Sequence, residues 1–339
     1  MSVTEHIAKS SRHTTFYLAD GPESGPLIIF IHGWPELSIS WRHQLPAFAA
    51  LGFRTIAPDM RGYGRSSVYP RSEDYAQEHI VRDMQELLLG SLGRKTAVWV
   101  GHDWGSPVVW NMASHHPELC DAVASLCVPY HAIELGLDHV ISLVDRKIYP
   151  ESEYPAGQWD YMRHYEENFA EAIAPMDANV YNFVKLAFRK GNPSGEGKPA
   201  PTARRNRGIF AGSVPDLPRD GDVVSEEDLR IYAAALERNG FFGPSSWYMN
   251  HRANAEYFKS ARNDGYLEMP ILFLNAQYDY VCECTHSRLP EPMRKYCRSL
   301  TEVTIRTGHW MAQEKPQEVN AALARWLVTS VPWVWPRPG

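Results

Sequence analysis

Two scarcities in the sequence exclude whole classes of protein. Among its 339 residues are only five cysteines, which are Cys120, Cys127, Cys282, Cys284 and Cys297. Five unevenly spaced cysteines do not make a disulfide framework, and the Cys-Glu-Cys stretch at 282–284 has no second pair at metal-ligand spacing. We therefore expect free thiols, a reducing compartment and no metal site.

No apolar run approaches the ~18 residues that a membrane span needs, and no signal peptide precedes the first predicted element. The formal net charge is −6 without a block of like charge, which argues against nucleic acid as the main partner. The basic cluster Arg204, Arg205 and Arg207 lies in a Gly/Pro-rich stretch and is interpreted as a solvated loop. The sequence therefore indicates a soluble cytoplasmic protein, either a monomer or a homodimer.

What the sequence does contain is a regular alternation of strand and helix patterns. The apolar β-branched runs lie at 16–18, 27–31, 54–57, 97–100 and 122–127, with helical patterns between them at 45–51 and 79–89. Such alternation is typical of a mostly parallel sheet flanked by helices. The predicted fold class is therefore α/β, and the 44% of hydrophobic residues are enough for a large core.

The pattern changes after about residue 130. Helical segments dominate from there to about residue 268, at Trp159–Ile173, Val180–Arg189 and Glu226–Arg238. A strand pattern then returns in MPILFLNAQYDYV, and LTEVTIRTGHW supplies another strand before a final helix over Pro316–Val328. We interpret residues 1–130 and 269–339 as two parts of one α/β core, and residues 131–268 as a helical cap inserted between them.

The stretch VWVGHDWGSPVVW, residues 98–110, contains the first candidate for chemistry. A β-rich run meets a turn in which Gly101 and Gly105 flank Asp103, and Pro107 opens a predicted helix. A strand, a tight turn and a helix in this order are typical of a nucleophile elbow, which usually presents a serine. An aspartate alone in such a turn would as readily cap the helix. Its position after a strand, together with the motifs below, favours a nucleophile.

The other parts of such a site follow later strands at their carboxyl ends, the acid first and the histidine last. Asp279 follows the predicted strand at 271–275, and His309 follows the predicted strand at 303–306. Asp83 and Asp59 compete with Asp279, but neither lies after a late strand. The sequence therefore predicts a constellation of Asp103, Asp279 and His309.

Two backbone N–H groups are the expected donors to an oxyanion at Asp103. One belongs to Trp104, directly after the aspartate, and the other to Trp34 in the loop FIHGWPE, where Pro35 is expected to rigidify the turn. His32 and His102 flank the site, and we interpret them as hydrogen-bonding supports rather than as bases.

Five motifs occur in a fixed order along nearly the whole chain: HGWP at 32–35, DMRGYGRS at 59–66, GHDWG at 101–105, Asp279, and GHW at 308–310. Together they resemble the epoxide hydrolases of the α/β-hydrolase fold. The resemblance implies that fold and a site built on Asp103, Asp279 and His309.

The resemblance also implies that two tyrosines of the cap donate protons. FFGPSSWYMN, residues 241–250, is similar to the family segment with one of them, which here is Tyr248. QWDYMRHYEENF, residues 158–169, is similar to the segment with the other, which we place at Tyr161. Tyr154 and Tyr165 are close rivals for this second position. The loop at about 191–219 matches no family pattern.

The implied reaction is the cofactor-free hydrolysis of a small apolar epoxide by water. An aspartate, with a pKa near ~3.9, is already ionised at neutral pH and can attack an sp³ carbon to form an ester. His309, oriented by Asp279, would then activate water against that ester. The opened epoxide leaves as an alkoxide, which needs a proton from a phenol such as Tyr161 or Tyr248.

Two other functions stay open. A haloalkane or haloacid dehalogenase uses the same kind of aspartate, but a halide needs no proton, so paired tyrosines would have no use there. Dehalogenase relatives often carry asparagine at the position of Trp34. A non-enzymatic receptor on this fold usually keeps a serine or loses part of the triad, whereas every part is present here.

Overall fold

The computed structural model describes residues 3–204 and 212–336, so Arg205 and Arg207 of the basic cluster lie outside the described residues. Within these ranges eight strands form one sheet. Their bounds are Thr4–Lys9 (β1), Thr14–Asp20 (β2), Leu27–Ile31 (β3), Arg54–Pro58 (β4), Ala97–His102 (β5), Cys120–Leu126 (β6), Leu267–Ala276 (β7) and Cys297–Ile305 (β8).

The order of the strands in the sheet is β1-β2-β4-β3-β5-β6-β7-β8. Strand β2 is antiparallel to both of its neighbours, and all pairs from β4 to β8 are parallel. Strands β3 and β5 are buried along their whole length, as expected for parallel strands covered on both faces. The predicted α/β class with a mostly parallel sheet is confirmed.

The α-helices of the described residues lie between the strands and after the last one. Their bounds are Gln44–Ala50 (α1), Gln77–Gln85 (α2), Gly105–His115 (α3), Leu137–Ser142 (α4), Asp160–Ala178 (α5), Val180–Ala187 (α6), Glu226–Asn239 (α7), Phe242–Ser246 (α8), His251–Phe258 (α9), Glu291–Tyr296 (α10), Met311–Glu314 (α11) and Pro316–Ser330 (α12). Helices α4 to α9 lie between β6 and β7, where the sequence predicts a helical insertion. The boundaries at 130 and 268 stay a prediction.

Some elements differ from the sequence expectation. The sequence does not predict strand β1, because its mostly exposed side chains give no apolar pattern. In the structure it lies at the edge of the sheet and pairs with β2. The helix predicted to open at Pro107 begins two residues earlier, at Gly105. The helix predicted over 159–173 runs on to Ala178, with a break at Asn168, where φ is −142°.

The two competing aspartates have structural partners. Asp83 is buried and accepts hydrogen bonds from Arg61 Nε at 2.7 Å and Nη2 at 2.8 Å. Asp59 accepts the backbone N–H groups of Ser38 at 2.9 Å and Arg65 at 3.0 Å. Both carboxylates therefore fix the loop that follows β4.

Two expectations from composition can be compared with the structure directly. All five cysteines are free thiols, as predicted, and all of them are buried. No helix in the described ranges combines the length and the apolar character needed to cross a lipid bilayer.

Candidate active site

Asp103 lies in the turn between β5 and α3, in the middle of the sheet. Its backbone has φ of +50°, a left-handed conformation that is rare for residues other than glycine. Directly after it, helix α3 packs so closely on β3 that a Cβ at Gly105 would lie 2.2 Å from the carbonyl oxygen of Ile31. The predicted elbow is therefore present, and its glycine is required by the contact between the two backbones.

The loop after β3 supplies one hydrogen bond to this aspartate. Trp34 donates its backbone N–H to Asp103 Oδ1 at 2.7 Å. No such bond from the Trp104 N–H is formed within the described part of the chain, although the Trp104 nitrogen lies nearby. Gly33 packs against both atoms, since a Cβ built on it would lie 2.4 Å from Asp103 Oδ1 and 2.6 Å from the Trp104 nitrogen. Both N–H groups thus border the space around Oδ1, and one of them contacts it.

Asp279 and His309 follow β7 and β8, and their side chains meet. His309 Nδ1 donates to Asp279 Oδ2 at 2.6 Å, and His309 Nε2 lies 3.4 Å from Asp103 Oδ2. Asp279 is buried and also accepts the backbone N–H groups of Val281 and Cys282 at 3.0 Å each. The three predicted side chains are therefore brought together with the imidazole between the two carboxylates.

The surrounding charges shift the proton equilibria of this set. Burial opposes the charged form of His309, but the Asp279 carboxylate and the hydrogen bonds to Asp103 and Asp279 outweigh it and hold its pKa well above the usual range. Burial likewise opposes ionisation of Asp279, yet the imidazole of His309 and the two backbone N–H donors lower the pKa of that carboxyl. Both carboxylates therefore favour the protonated, imidazolium form of His309, which faces Asp103.

A cavity of about 270 Å³ opens onto these groups. Asp103, His309, Trp34, Tyr161 and Tyr248 all line it. The Tyr248 ring packs edge-on against Trp104 and Trp34, with ring centroids 5.0 Å and 5.8 Å apart, and it contacts the Tyr161 ring at 5.6 Å. Burial raises the pKa of both phenols well above their usual range, and the nearby charge of Asp103 acts in the same direction, so they keep their protons.

The two rival tyrosines do not line this cavity. Tyr165 is stacked on Tyr248 with ring centroids 4.7 Å apart, and its hydroxyl lies 3.5 Å from Ser245 Oγ. The Tyr154 hydroxyl accepts a hydrogen bond from Arg204 Nη2 at 2.9 Å. The structure thus brings Tyr161, and neither rival, to the same cavity wall as Tyr248.

A buried ion pair beside the site was not predicted. His102 Nδ1 donates to Glu36 Oε2 at 2.7 Å, and its Nε2 donates to the carbonyl oxygen of His309 at 2.8 Å. Glu36 also accepts the N–H of Gly33 at 3.0 Å. Burial opposes both charges, but each partner compensates the other, and the pKa of His102 is raised to about 10 while that of Glu36 is lowered to about 2. The pair joins the loops after β3, β5 and β8, which agrees with the supporting role expected for His102.

His32, the other flanking histidine, has a similar role. Its Nδ1 donates to the carbonyl oxygen of Gly33 at 2.9 Å, and its Nε2 accepts the N–H of Met60 at 3.0 Å.

The sequence contains no signal for the role of Glu36, because an acidic residue in a loop after a strand is common in proteins of every function.

Two sets of side chains in the described residues have ligand atoms close enough for a metal ion, namely His102, Cys127 and His309, and Asp279, Cys282 and His309. Both sets include His309, whose ring nitrogens already face Asp279 and Asp103. An ion in either set would therefore compete with the hydrogen bonds of the constellation.

Comparisons with known proteins agree with this geometry. Residues 26–153 match the family described as alpha/beta hydrolase fold. Epoxide hydrolase A of Mycobacterium tuberculosis is 33% identical over 348 residues, which cover 96% of this chain and 97% of that protein. The crystal structure of Epoxide Hydrolase A from Mycobacterium thermoresistibile superposes with a TM-score of 0.78 at 29% identity, over 97% of this chain and 99% of that one.

A mammalian relative matches over only part of its length. Bifunctional epoxide hydrolase 2 of Sus scrofa is 34% identical over 310 residues, which are 90% of this chain but 52% of that protein. The chain therefore spans about half the length of this relative. Together these matches confirm the resemblance seen in the sequence motifs.

The raised pKa of His309 gives a prediction for Asp279→Asn. Without the Asp279 charge, burial is less strongly opposed, so the pKa of His309 should fall. NMR titration of ring-¹⁵N-labelled histidines, with the His309 signal assigned by its loss in His309→Gln, measures the change. Asp264→Asn, at an exposed aspartate, is the control and should leave the His309 titration where it is. An unchanged His309 pKa in Asp279→Asn would show that Asp279 does not set the charge of the imidazole.

Proposed function

We propose that this chain, which belongs to the epoxide hydrolase family of the α/β-hydrolase fold, hydrolyses epoxides to vicinal diols. One observation carries the proposal. The Asp103 carboxylate has one oxygen fixed by a backbone N–H and the other facing His309, in a cavity that two protonated phenols also line. This arrangement suits an aspartate nucleophile that forms an ester and releases it with water.

In the first step Asp103 Oδ2 attacks a ring carbon of the epoxide. Oδ1 is engaged by the Trp34 N–H, which leaves Oδ2 as the nucleophilic atom. The new bond joins Oδ2 to carbon, and the bond between that carbon and the epoxide oxygen breaks. No base is needed, because the carboxylate is the ionised form of its side chain.

The departing oxygen takes a proton from a cap tyrosine. An alkoxide is too basic to leave unprotonated, and Tyr161 and Tyr248 are the two phenols that line the cavity with Asp103. Their raised pKa values keep the donor protons in place until the epoxide opens. The products of this step are a hydroxyalkyl ester on Asp103 and one tyrosinate.

In the second step the imidazolium of His309 first passes its proton to the tyrosinate through solvent, and the neutral imidazole then deprotonates a water that attacks Asp103 Cγ. Ester formation removes the charge of Asp103, which is one of the groups that raise the pKa of His309, so the imidazolium gives up its proton more readily at this stage. The oxyanion develops on Oδ1, against the Trp34 N–H and near that of Trp104. The ester C–O bond breaks, the diol takes the proton of the new carboxyl group, and His309 keeps the proton that it took from water, which restores the starting protonation of the site.

The substrate class follows from the wall of the cavity. Its volume of about 270 Å³ and its aromatic lining suit a small apolar epoxide, with water as the second substrate. A halide would need no proton, so the two phenols favour the epoxide over a haloalkane.

The division into two steps predicts the behaviour of His309→Gln. This variant should form the ester and fail to hydrolyse it, because only the second step uses the base. Intact-mass analysis after mixing with a styrene-type epoxide should show one adduct equal in mass to the substrate. Asp103→Asn, mixed in the same way, should stay unmodified. A folded His309→Gln protein that also remains unmodified would refute the proposed ester.

The paired phenols give a second prediction. A positioned general acid contributes about 10²–10⁴-fold, and either tyrosine can partly replace the other. Tyr161→Phe and Tyr248→Phe should each slow ester formation, and the double variant should lose nearly all of it, whereas release of an ester already formed should be unchanged. Rapid-quench kinetics separates the two rates.

Tyr165→Phe is the matched control, because Tyr165 packs on Tyr248 outside the cavity lining, and it should form the ester at the wild-type rate. If instead Tyr165→Phe is slow and Tyr161→Phe is normal, the second acid is misassigned. A double variant as fast as wild type would reduce both tyrosines to packing residues.

A further inference from the structure

One cap segment contacts the chain on both sides of His309. The indole N–H of Trp310, the next residue, donates to the carbonyl oxygen of Ala187 at 2.7 Å. The Trp310 ring also stacks on Phe188, with ring centroids 4.4 Å apart. The last residue of helix α6 and the residue after it thereby contact the residue directly after His309.

On the other side of His309 the same segment is joined through a carboxylate. Glu314 Oε2 accepts the N–H of Gly308 at 2.9 Å and the N–H of Gly191 at 2.9 Å. Gly308 directly precedes His309, and Gly191 belongs to the cap. One carboxylate oxygen of α11 therefore bridges the backbone of the cap and the backbone of the histidine loop.

The two glycines are in direct contact. A Cβ on Gly191 would lie 2.4 Å from the Gly308 nitrogen, and a Cβ on Gly308 would lie 2.5 Å from the Gly191 nitrogen. Such distances leave no room for any side chain, so the two N–H groups reach the same oxygen only because both residues are glycine. We call Gly191, Gly308 and Glu314 the cap latch.

We infer that Glu314 is a positioning residue for His309, acting through the cap latch. Glu314 accepts a hydrogen bond from Gly308, the residue before His309. The position of the His309 ring relative to Asp103 Cγ decides whether His309 can activate water. Since residues 189–191 also line the cavity, the latch makes the cavity wall and the histidine loop one connected unit. This inference rests on the proposed function, because it assigns the latch to the second of the proposed steps.

The role of the latch is specific to one step. Ester formation uses Asp103 and the cap tyrosines, none of which the latch contacts. Ester hydrolysis uses His309, and a displacement of about 1 Å of a catalytic group can cost about 10²-fold in rate. Loss of the latch should therefore slow hydrolysis by about this factor and leave ester formation unchanged.

The test is rapid-quench kinetics on Glu314→Ala, with the ester on Asp103 measured by intact mass. The variant should form the ester at the wild-type rate and accumulate it during turnover, with kcat reduced about 10²-fold. Glu318→Ala, at an exposed glutamate of α12, is the matched control and should behave as wild type.

Several outcomes would overturn the inference. Ester formation and hydrolysis slowed by the same factor would indicate general damage to the site, and unchanged hydrolysis would show that the latch positions nothing. If Glu314→Ala does not fold, Glu314→Gln keeps the side-chain volume with a weaker acceptor and must still accumulate ester. His309→Gln separates the proposed function from the role of the cap latch. If His309→Gln traps no ester, the proposed function fails. If His309→Gln traps the ester but the Glu314 variants do not accumulate it, only the inference about the latch fails.

Discussion

The left-handed backbone of Asp103 is the constraint on which the site depends. A residue with a side chain in this conformation costs on the order of 1–3 kcal/mol, which the surrounding structure has to compensate. Here the compensation comes from β5 in the middle of the sheet and from α3, which packs directly on the end of β3 at Gly105. These contacts keep the turn between β5 and α3 tight, and the Asp103 carboxylate lies at the carboxyl ends of the parallel strands.

Parallel strands explain why distant residues reach this carboxylate. Strands β3, β5, β7 and β8 all end at the same edge, so the residues that follow them meet although Trp34 and His309 lie far apart in sequence. The buried Glu36–His102 pair then joins three of these loops. Helices α4 to α9 lie between β6 and β7, and Tyr161 and Tyr248 from this part of the chain line the same cavity as Asp103.

A site residue could be predicted from the sequence when the residues next to it in the chain identify it. Asp103, Asp279 and His309 each follow a recognisable strand pattern, and the motifs around them occur in the order expected for such a site. The sequence places the second acid at Tyr161 with Tyr165 as a close rival, because residues four apart share one face of a helix; the cavity distinguishes them, since Tyr161 lines it and Tyr165 does not. Glu36 and Glu314 were missed, since each accepts backbone N–H groups from a distant segment and such bonds leave no sequence pattern.

The central claim is that water attacks the carboxyl carbon of Asp103 and not the epoxide. A single turnover in H₂¹⁸O, with enzyme in excess over epoxide, tests it most directly. The account predicts an unlabelled diol, because its two oxygens come from the epoxide and from Asp103, and ¹⁸O in the peptide that contains Asp103 but not in the one with Asp279. A labelled diol from that first turnover, with an unlabelled Asp103 peptide, would contradict it.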